Sequence, residues 1–425
     1  MNNFPFDLNE LPKPAYLVGG WVRDRLLGRQ SKYLDIDFVL PERAVAIASA
    51  IAKRYKAGFV VLDAERQIAR VVFKNATADF AQQMGSSIRE DLERRDFCMN
   101  AIAVSVGEDF QSEFAATGIL SPSLLLDPLD GASDLAQKQV RMVAPENLLD
   151  DPLRILRAYR QAAQLGFEIE ALTQKTLTKF SHAPFHGISQ IAAERVRTEL
   201  SYLLSLDEGK RWLVTAIDDG ILEAWLPANC LEFNRFARID EAIALLIETF
   251  PSLEAYFANV LASDRTAKII TKLAALTNSA TGMEPLGFSR NEQRWLVGIL
   301  RYLPKFLELL PSATPKQQYQ LFQATLEIFP ALCAVAIAHG TSDESDFEAI
   351  LAWLRQWCDP QDAIAHPAIL VTGSDLMTEL ALSPSPKIGE LLETVRLAQA
   401  EGLVKDRSEA IAYAKKILLG DMNPS

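Results

Sequence analysis

Tyr33-Leu34-Asp35-Ile36-Asp37-Phe38-Val39 is the stretch on which the reading of this chain turns. In an extended strand, residues two apart point to the same face. Leu34, Ile36 and Phe38 then face a core, and Asp35 and Asp37 project together from the other side. Two carboxylates on one rigid face, with nothing nearby to neutralise them, repel each other unless a cation sits between them. That is how a Mg²⁺ site for phosphate chemistry is built.

On the N-terminal side of this strand lies Ala15-Tyr16-Leu17-Val18, a short strand running into Gly19-Gly20. Trp21 to Leu27 then reads as a helix that Gly28 ends. Adjacent glycines let backbone N–H groups approach an anion, and the helix N-terminus adds its dipole. Arg23, one turn in, is placed to clamp a triphosphate. An ordinary strand-to-helix turn is the plain alternative. Neither a Walker loop nor a dinucleotide fingerprint is present.

On the C-terminal side, Pro41 to Tyr55 reads as a helix. Phe59 to Leu62, Ala69 to Phe73, Ala78 to Phe80 and Ala101 to Val106 read as strands. Strands in close succession with few crossover helices imply a mixed or antiparallel sheet. Asp79, on a neighbouring strand, is the candidate third carboxylate, with a solvated edge residue as its alternative. Arg94-Arg95-Asp96-Phe97-Cys98-Met99-Asn100 is dense in polar groups. Asp96 and Asn100 suit a ribose and an arginine suits a phosphate; a salt-bridged surface turn is the other reading.

From about residue 146 onward the periodicity is almost entirely helical. Asp150-Asp151-Pro152-Leu153-Arg154 opens a helix with capping acids and an early proline. Asp151 and Arg154, three apart, form either an ion pair or a template for a nucleotide base. In the second case the carboxylate accepts from an exocyclic amine and the guanidinium donates to the ring. The fold class expected is α+β: a small mixed-sheet head, then an elongated all-helical neck, body and tail.

The chain has 425 residues, room for roughly two to four domains. The longest apolar run noted, Phe329 to Ala338, is shorter than the ~18–20 residues of a membrane span. No basic leader stands at the N-terminus. Cys98, Cys230, Cys333 and Cys358 have no zinc or disulfide spacing. A cytoplasmic protein without a membrane role is expected, and no protein partner is implied. The net charge of −12 falls mostly on residues 206–425. It does not exclude a nucleic-acid partner, because Arg94-Arg95 and Arg154, Arg157 and Arg160 remain local basic patches.

These segments, in this order, resemble the class II tRNA nucleotidyltransferase and bacterial poly(A) polymerase family, motif by motif over roughly residues 15–200. Gly19-Gly20-Trp21-Val22-Arg23-Asp24 with Leu34-Asp35-Ile36-Asp37 is similar to the motif for triphosphate and metal. Arg94 to Ala101 resembles the ribose-selecting motif, and Asp127-Pro128-Leu129-Asp130-Gly131 the head-to-neck hinge. Asp150-Asp151-Pro152-Leu153-Arg154 with Leu156-Arg157-Ala158 resembles the amino-acid template. Ala193-Glu194-Arg195-Val196-Arg197-Thr198-Glu199-Leu200 resembles the segment that supports it. Cys98 stands where Thr is usual, and Asp150 where Glu is usual.

The resemblance implies the following roles. Asp35, Asp37 and Asp79 are catalytic, with Asp35 and Asp37 on Mg²⁺. Gly19, Gly20, Arg23, Arg95, Asp96, Asn100, Asp151, Arg154 and Arg157 bind the nucleotide, and Glu194 and Arg195 support the template. It also implies a head over residues 1–135, a neck over 136–205, a body over 206–365 and a tail over 366–425. The partners are CTP, ATP in some relatives, and the acceptor stem and elbow of tRNA. Residues 81–93, the span between Phe80 and the second motif, are fewer than in relatives that add C, C and A. The expected activity is therefore template-independent CC addition to the tRNA 3′ end. Full CCA addition and A or poly(A) addition are alternatives. A sugar-nucleotide glycosyltransferase and a non-catalytic RNA-binding scaffold are remote ones.

Overall fold

The computed structural model describes residues 4–182, 188–263, 265–310, 312–340 and 344–420. The chain divides into two compact units, Met1–Ala224 and Trp225–Ser425. The first unit carries β1 (Tyr16–Val18), α1 (Gly19–Leu26), β2 (Leu34–Leu40), α2 (Ala44–Tyr55), β3 (Gly58–Asp63), β4 (Ile68–Val72), β5 (Ala76–Gln82) and α3 (Ile88–Leu92). After a 3-10 turn at Cys98–Asn100 come β6 (Ala103–Ser105), α4 (Glu108–Thr117), β7 (Leu125–Leu126), α5 (Gly131–Gln137), β8 (Gln139–Val140) and α6 (Pro145–Asp150). They are followed by α7 (Leu153–Leu165), β9 (Glu168–Ile169), α8 (Ala171–Ser181), α9 (Ala193–Ser205) and α10 (Gly209–Asp218).

The main sheet has the order β3-β4-β5-β2-β1-β6-β7. Only β2 and β5 pair in parallel; their neighbours are antiparallel. The sheet is therefore mixed, as the closely spaced strands implied. Ile36 and Phe38 are buried on one face of β2, and the Phe38 ring stacks on Phe80 of β5 at 5.2 Å. Each buried aromatic contributes about 2–3 kcal/mol of apolar burial. This packing fixes the register of β2, and a slip of one residue would turn the carboxylates into the core.

Two local readings change. Arg43 takes a left-handed backbone (φ 57), so α2 starts at Ala44 and not at Pro41. The single helix expected from Asp150 is two: α6 ends at Asp150, and Asp151 is extended (φ −139, ψ 92) before α7 begins. The strand β3 is exposed along Phe59, Val60, Val61 and Leu62.

The second unit is helical. It carries α11 (Phe233–Thr249), α12 (Leu253–Ala258), α13 (Ala267–Leu276), α14 (Arg290–Leu309), α15 (Pro315–Thr325), α16 (Phe329–His339) and α17 (Glu344–Cys358), then α18 (Gly373–Glu379), α19 (Pro386–Ala400) and α20 (Arg407–Leu419). Val371, Leu376, Leu391, Val395 and Ala410 form a separate small core around α18 to α20. The expectation that no apolar run reaches membrane length needs correction: by length and composition, Pro315–His339 does. It is not one rod, because Leu326 takes φ 45 between α15 and α16, and 72% of its most apolar window is buried inside the protein. It is a core hairpin of the unit, and such a segment is weak evidence for a membrane.

Candidate active site

The register of the sheet gathers the charges. Asp37 pairs with Asp79 across β2 and β5, Asp79 with Arg70 across β5 and β4, and Asp37 with Val18 across β2 and β1. Val18 runs straight into Gly19, so the Gly-Gly turn lies against Asp37. Gly19 takes φ +72, and a Cβ built there would stand 2.9 Å from Asp37 Oδ2. Only glycine meets both conditions. Asp35 accepts from Thr77 Oγ1 at 2.6 Å.

Burial pushes the Asp37 carboxyl up to about 6. Arg95 and Arg70 oppose the rise, while Asp79 and Asp35 add to it. A cation between Asp35 and Asp37 would relieve that cost, so these residues fit a divalent metal. Among the described residues, no group of three or more His, Cys, Asp or Glu side chains is gathered for a metal. The free third carboxylate expected at Asp79 is not free. Both of its oxygens take the Arg70 guanidinium at 2.7 Å, which also means that a cation does stand beside the carboxylates.

A cavity of about 520 Å³ opens beside this face, a normal size for a small-molecule site. Its lining includes Gly19, Gly20, Arg23, Asp35, Asp37, Arg95, Asp96, Asn100 and Arg157. Most of the polar wall is already committed. Arg23 donates to Asp24 at 2.8 Å and through Nη1 to Asn100 Oδ1 at 3.0 Å. Asn100 donates to Asp96 and Gln161. Asp96 accepts from the Phe97 N–H, from Asn100, from Gln161 and twice from Arg157. Burial would raise its carboxyl, but Arg157 and these donors hold it at about 2. Arg23, Asp96 and Asn100 thus build the wall and are not loose ligands for phosphate and ribose. Burial forced this, since a buried polar group must be satisfied. Arg95 differs: Nη2 pairs with Asp91 at 3.2 Å, Nε is buried with no hydrogen-bond partner, and Nη1 lies near the Gly19 turn.

The other wall is α7. Arg157, Arg160, Gln161 and Gln164 recur at helical spacing and line the cavity. Arg160, Gln161 and Gln164 were not singled out as site residues, although their spacing on a polar stripe was legible. Asp151 and Arg154 are outside the lining, on the upstream end of this helix. They do not pair with each other. Asp151 takes Arg195 Nη2 on both oxygens at 3.1 and 2.9 Å, and Arg154 Nη1 donates to the carbonyls of Arg94 and Asn147. Arg195 therefore does hold Asp151. Glu194 is exposed in the first turn of α9, and the buried Glu199 on that helix binds Arg160 instead.

The segment expected to be short is short in space too. Residues 83–87 join β5 to α3. Gln83 N–H bonds Leu40 O at 2.7 Å and Met84 N–H bonds Asp91 Oδ1 at 3.0 Å. Asp91 thus ties down this connection and orients Arg95 with the same carboxylate.

A glycine turn against a pair of strand carboxylates, facing a polar helix across a nucleotide-sized cavity, is the layout of a nucleotidyl-transferring enzyme. Residues 15–141 match the poly A polymerase head domain, 166–230 the RNA and SrmB-binding site of polymerase A, and 266–414 tRNA nucleotidyltransferase domain 2. A CC-adding tRNA nucleotidyltransferase of Synechocystis is 44% identical over 97% of this chain and 96% of its own length. One of Geobacter sulfurreducens is 34% identical over 96% and 93%. The chain belongs to the tRNA nucleotidyltransferase family. A CCA-adding enzyme solved with ATP shares its fold, with a TM-score of 0.71 and 21% identity over 96% of this chain and 92% of that one.

Proposed function

We propose that this enzyme adds C residues from CTP to the 3′ end of tRNA, without a nucleic-acid template, and stops at CC. The observation that carries the CC reading is the five-residue β5–α3 connection, pinned by Leu40 and Asp91. A connection so short and so bonded leaves little slack for the site to change from one base to another. The names of the relatives at 44% and 34% identity support it, while more distant ones, at 28% and 24%, include A-adding and CCA-adding enzymes.

In this reading the tRNA 3′-hydroxyl attacks the α-phosphate of CTP in line, and pyrophosphate leaves. Asp35 and Asp37 would hold Mg²⁺, which supplies charge neutralisation and activates the hydroxyl. The Gly19-Gly20 turn and the guanidinium of Arg95 hold the triphosphate. The wall from Arg23 through Asn100 and Asp96 to Arg157 fixes the cavity's shape. Asp151 and Arg154, with the polar face of α7, select the base. We assign residues 1–135 to the head, 136–205 to the neck, 206–365 to the body and 366–425 to the tail, the helical parts gripping the acceptor stem and elbow of tRNA. The free cysteines and the substrate both suit the cytoplasm.

The deciding experiment incubates the protein with tRNA lacking CCA, together with CTP and ATP. Products should end in CC. Products ending in CCA would overturn the CC reading, and incorporation of ATP alone would overturn the choice of substrate.

A further inference from the structure

Helix α1 starts at the phosphate turn and finishes in a paired cap. Gly28 takes φ +68, its N–H bonds Arg25 O at 3.1 Å, and the Arg29 N–H bonds Asp24 O at 2.8 Å. These are the two return bonds of a Schellman motif. The cap sets the direction in which Arg29 leaves the helix. Its guanidinium donates to Gln164 O at 3.3 Å and to Leu165 O at 3.1 Å, the last carbonyls of α7 before Gly166. The C-terminal end of a helix carries partial negative charge, so a cation belongs there. Elsewhere α7 is held through Asp151 and Arg160 by α9, and through Arg157 and Gln161 by the Asp96–Asn100 segment. Arg29 adds a hold from a different side: the stretch from Arg29 to Leu34 that lines the cavity next to Asp35.

We propose that Arg29 is a positioning residue for base selection. It latches α1, which presents the phosphate turn, to α7, which presents the base-reading face, and so keeps the cavity too narrow for a purine. This rests on CTP being the substrate. Arg29 touches no reacting atom; it acts through the separation of two walls. When the latch is lost the walls part. A pyrimidine is then held less well, and a purine gains the room it lacked.

The test uses the full chain as wild type, Arg29→Ala, Arg29→Lys and Gly28→Ala, with tRNA ending before CCA. KM and kcat are measured separately for CTP and ATP. In Arg29→Ala, KM for CTP should rise more than kcat falls. The CTP-over-ATP ratio of kcat/KM should drop roughly tenfold, the worth of one charge-assisted hydrogen bond. Arg29→Lys keeps a cationic donor and should restore most of the ratio. Gly28→Ala keeps the guanidinium but disturbs its aim, and should lower the ratio as well. An unchanged ratio in Arg29→Ala would overturn the proposal, and so would an equal loss of kcat with both nucleotides that lysine fails to restore. The wild-type arm reports which nucleotides are taken, so an error in the CTP reading shows there and not in the variants.

Discussion

Replacing Asp96 with Asn separates two roles for the same carboxylate. The side chain is 8% exposed and accepts from Phe97, Asn100, Gln161 and Arg157. A carboxyl held at about 2 and not at 3.8 favours the charged folded form by about 2.5 kcal/mol. Asn removes that charge and turns an amide towards the Arg157 guanidinium, which at 37% exposure recovers some solvation. The variant should lose about 2–3 kcal/mol, or about 5–10 °C in Tm for a unit of this size. The sign follows from the lowered value. The stabilisation is complete above the unfolded value near 4 and is lost as pH falls through the folded value near 2. Thermal unfolding followed by circular dichroism at pH 7 and at steps down to pH 2 should show the gap between wild type and variant, and show it closing over the last two steps. A gap under about 1 °C at pH 7 would refute the structural role. Unaltered stability with dCTP used as readily as CTP would return Asp96 to the ribose.

Asp35→Ala should reduce incorporation by at least about 10³-fold while tRNA binding in a filter assay survives; near-normal turnover would remove the metal assignment. Gly19→Ala forces a left-handed alanine and a 2.9 Å approach to Asp37. It should cost about 1–2 kcal/mol of stability and far more in kcat, so a variant with full activity would contradict the close packing of turn and carboxylate. Arg195→Ala removes a half-exposed pair, so stability should change by less than about 1 kcal/mol, yet misincorporation of ATP and UTP should rise as Asp151 is released. Glu292→Gln breaks the buried pair with Arg265 in the second unit. It should destabilise that unit by about 3–5 kcal/mol while CTP still binds the first, as read by calorimetry.

The parts of the fold set by short-range chemistry were readable in advance. Alternation in Leu34–Leu40 placed Asp35 and Asp37 on one face, and Gly19-Gly20 marked the turn that meets them. The mixed sheet followed from strand spacing. What escaped the reading was pairing over long separations. Nothing local to Asp79 says that Arg70, on a strand of its own, will take both of its oxygens. Asp96 and Asn100 look like ligands in a list of polar residues, and only their burial, with Gln161 and Arg23 converging on them, makes them a wall. Asp151 lies just outside α7 because the extended residue before Pro152 separates two helices, a boundary that periodicity alone places poorly. Arg160 and Gln164 were visible as a stripe, but a polar stripe has no stated direction until the sheet supplies one.

Every side chain named at the cavity comes from the first 224 residues, in a compact unit with its own core. At about 5–20 residues per second, a ribosome that has just released Ala224 from its exit tunnel still needs on the order of tens of seconds to deliver the second unit. The nucleotide cavity can therefore be assembled, and can meet free CTP, while the rest of the enzyme is still being made. A bound nucleotide would then act as a folding ligand, shielding the nascent unit from proteolysis in proportion to how far its concentration exceeds the dissociation constant.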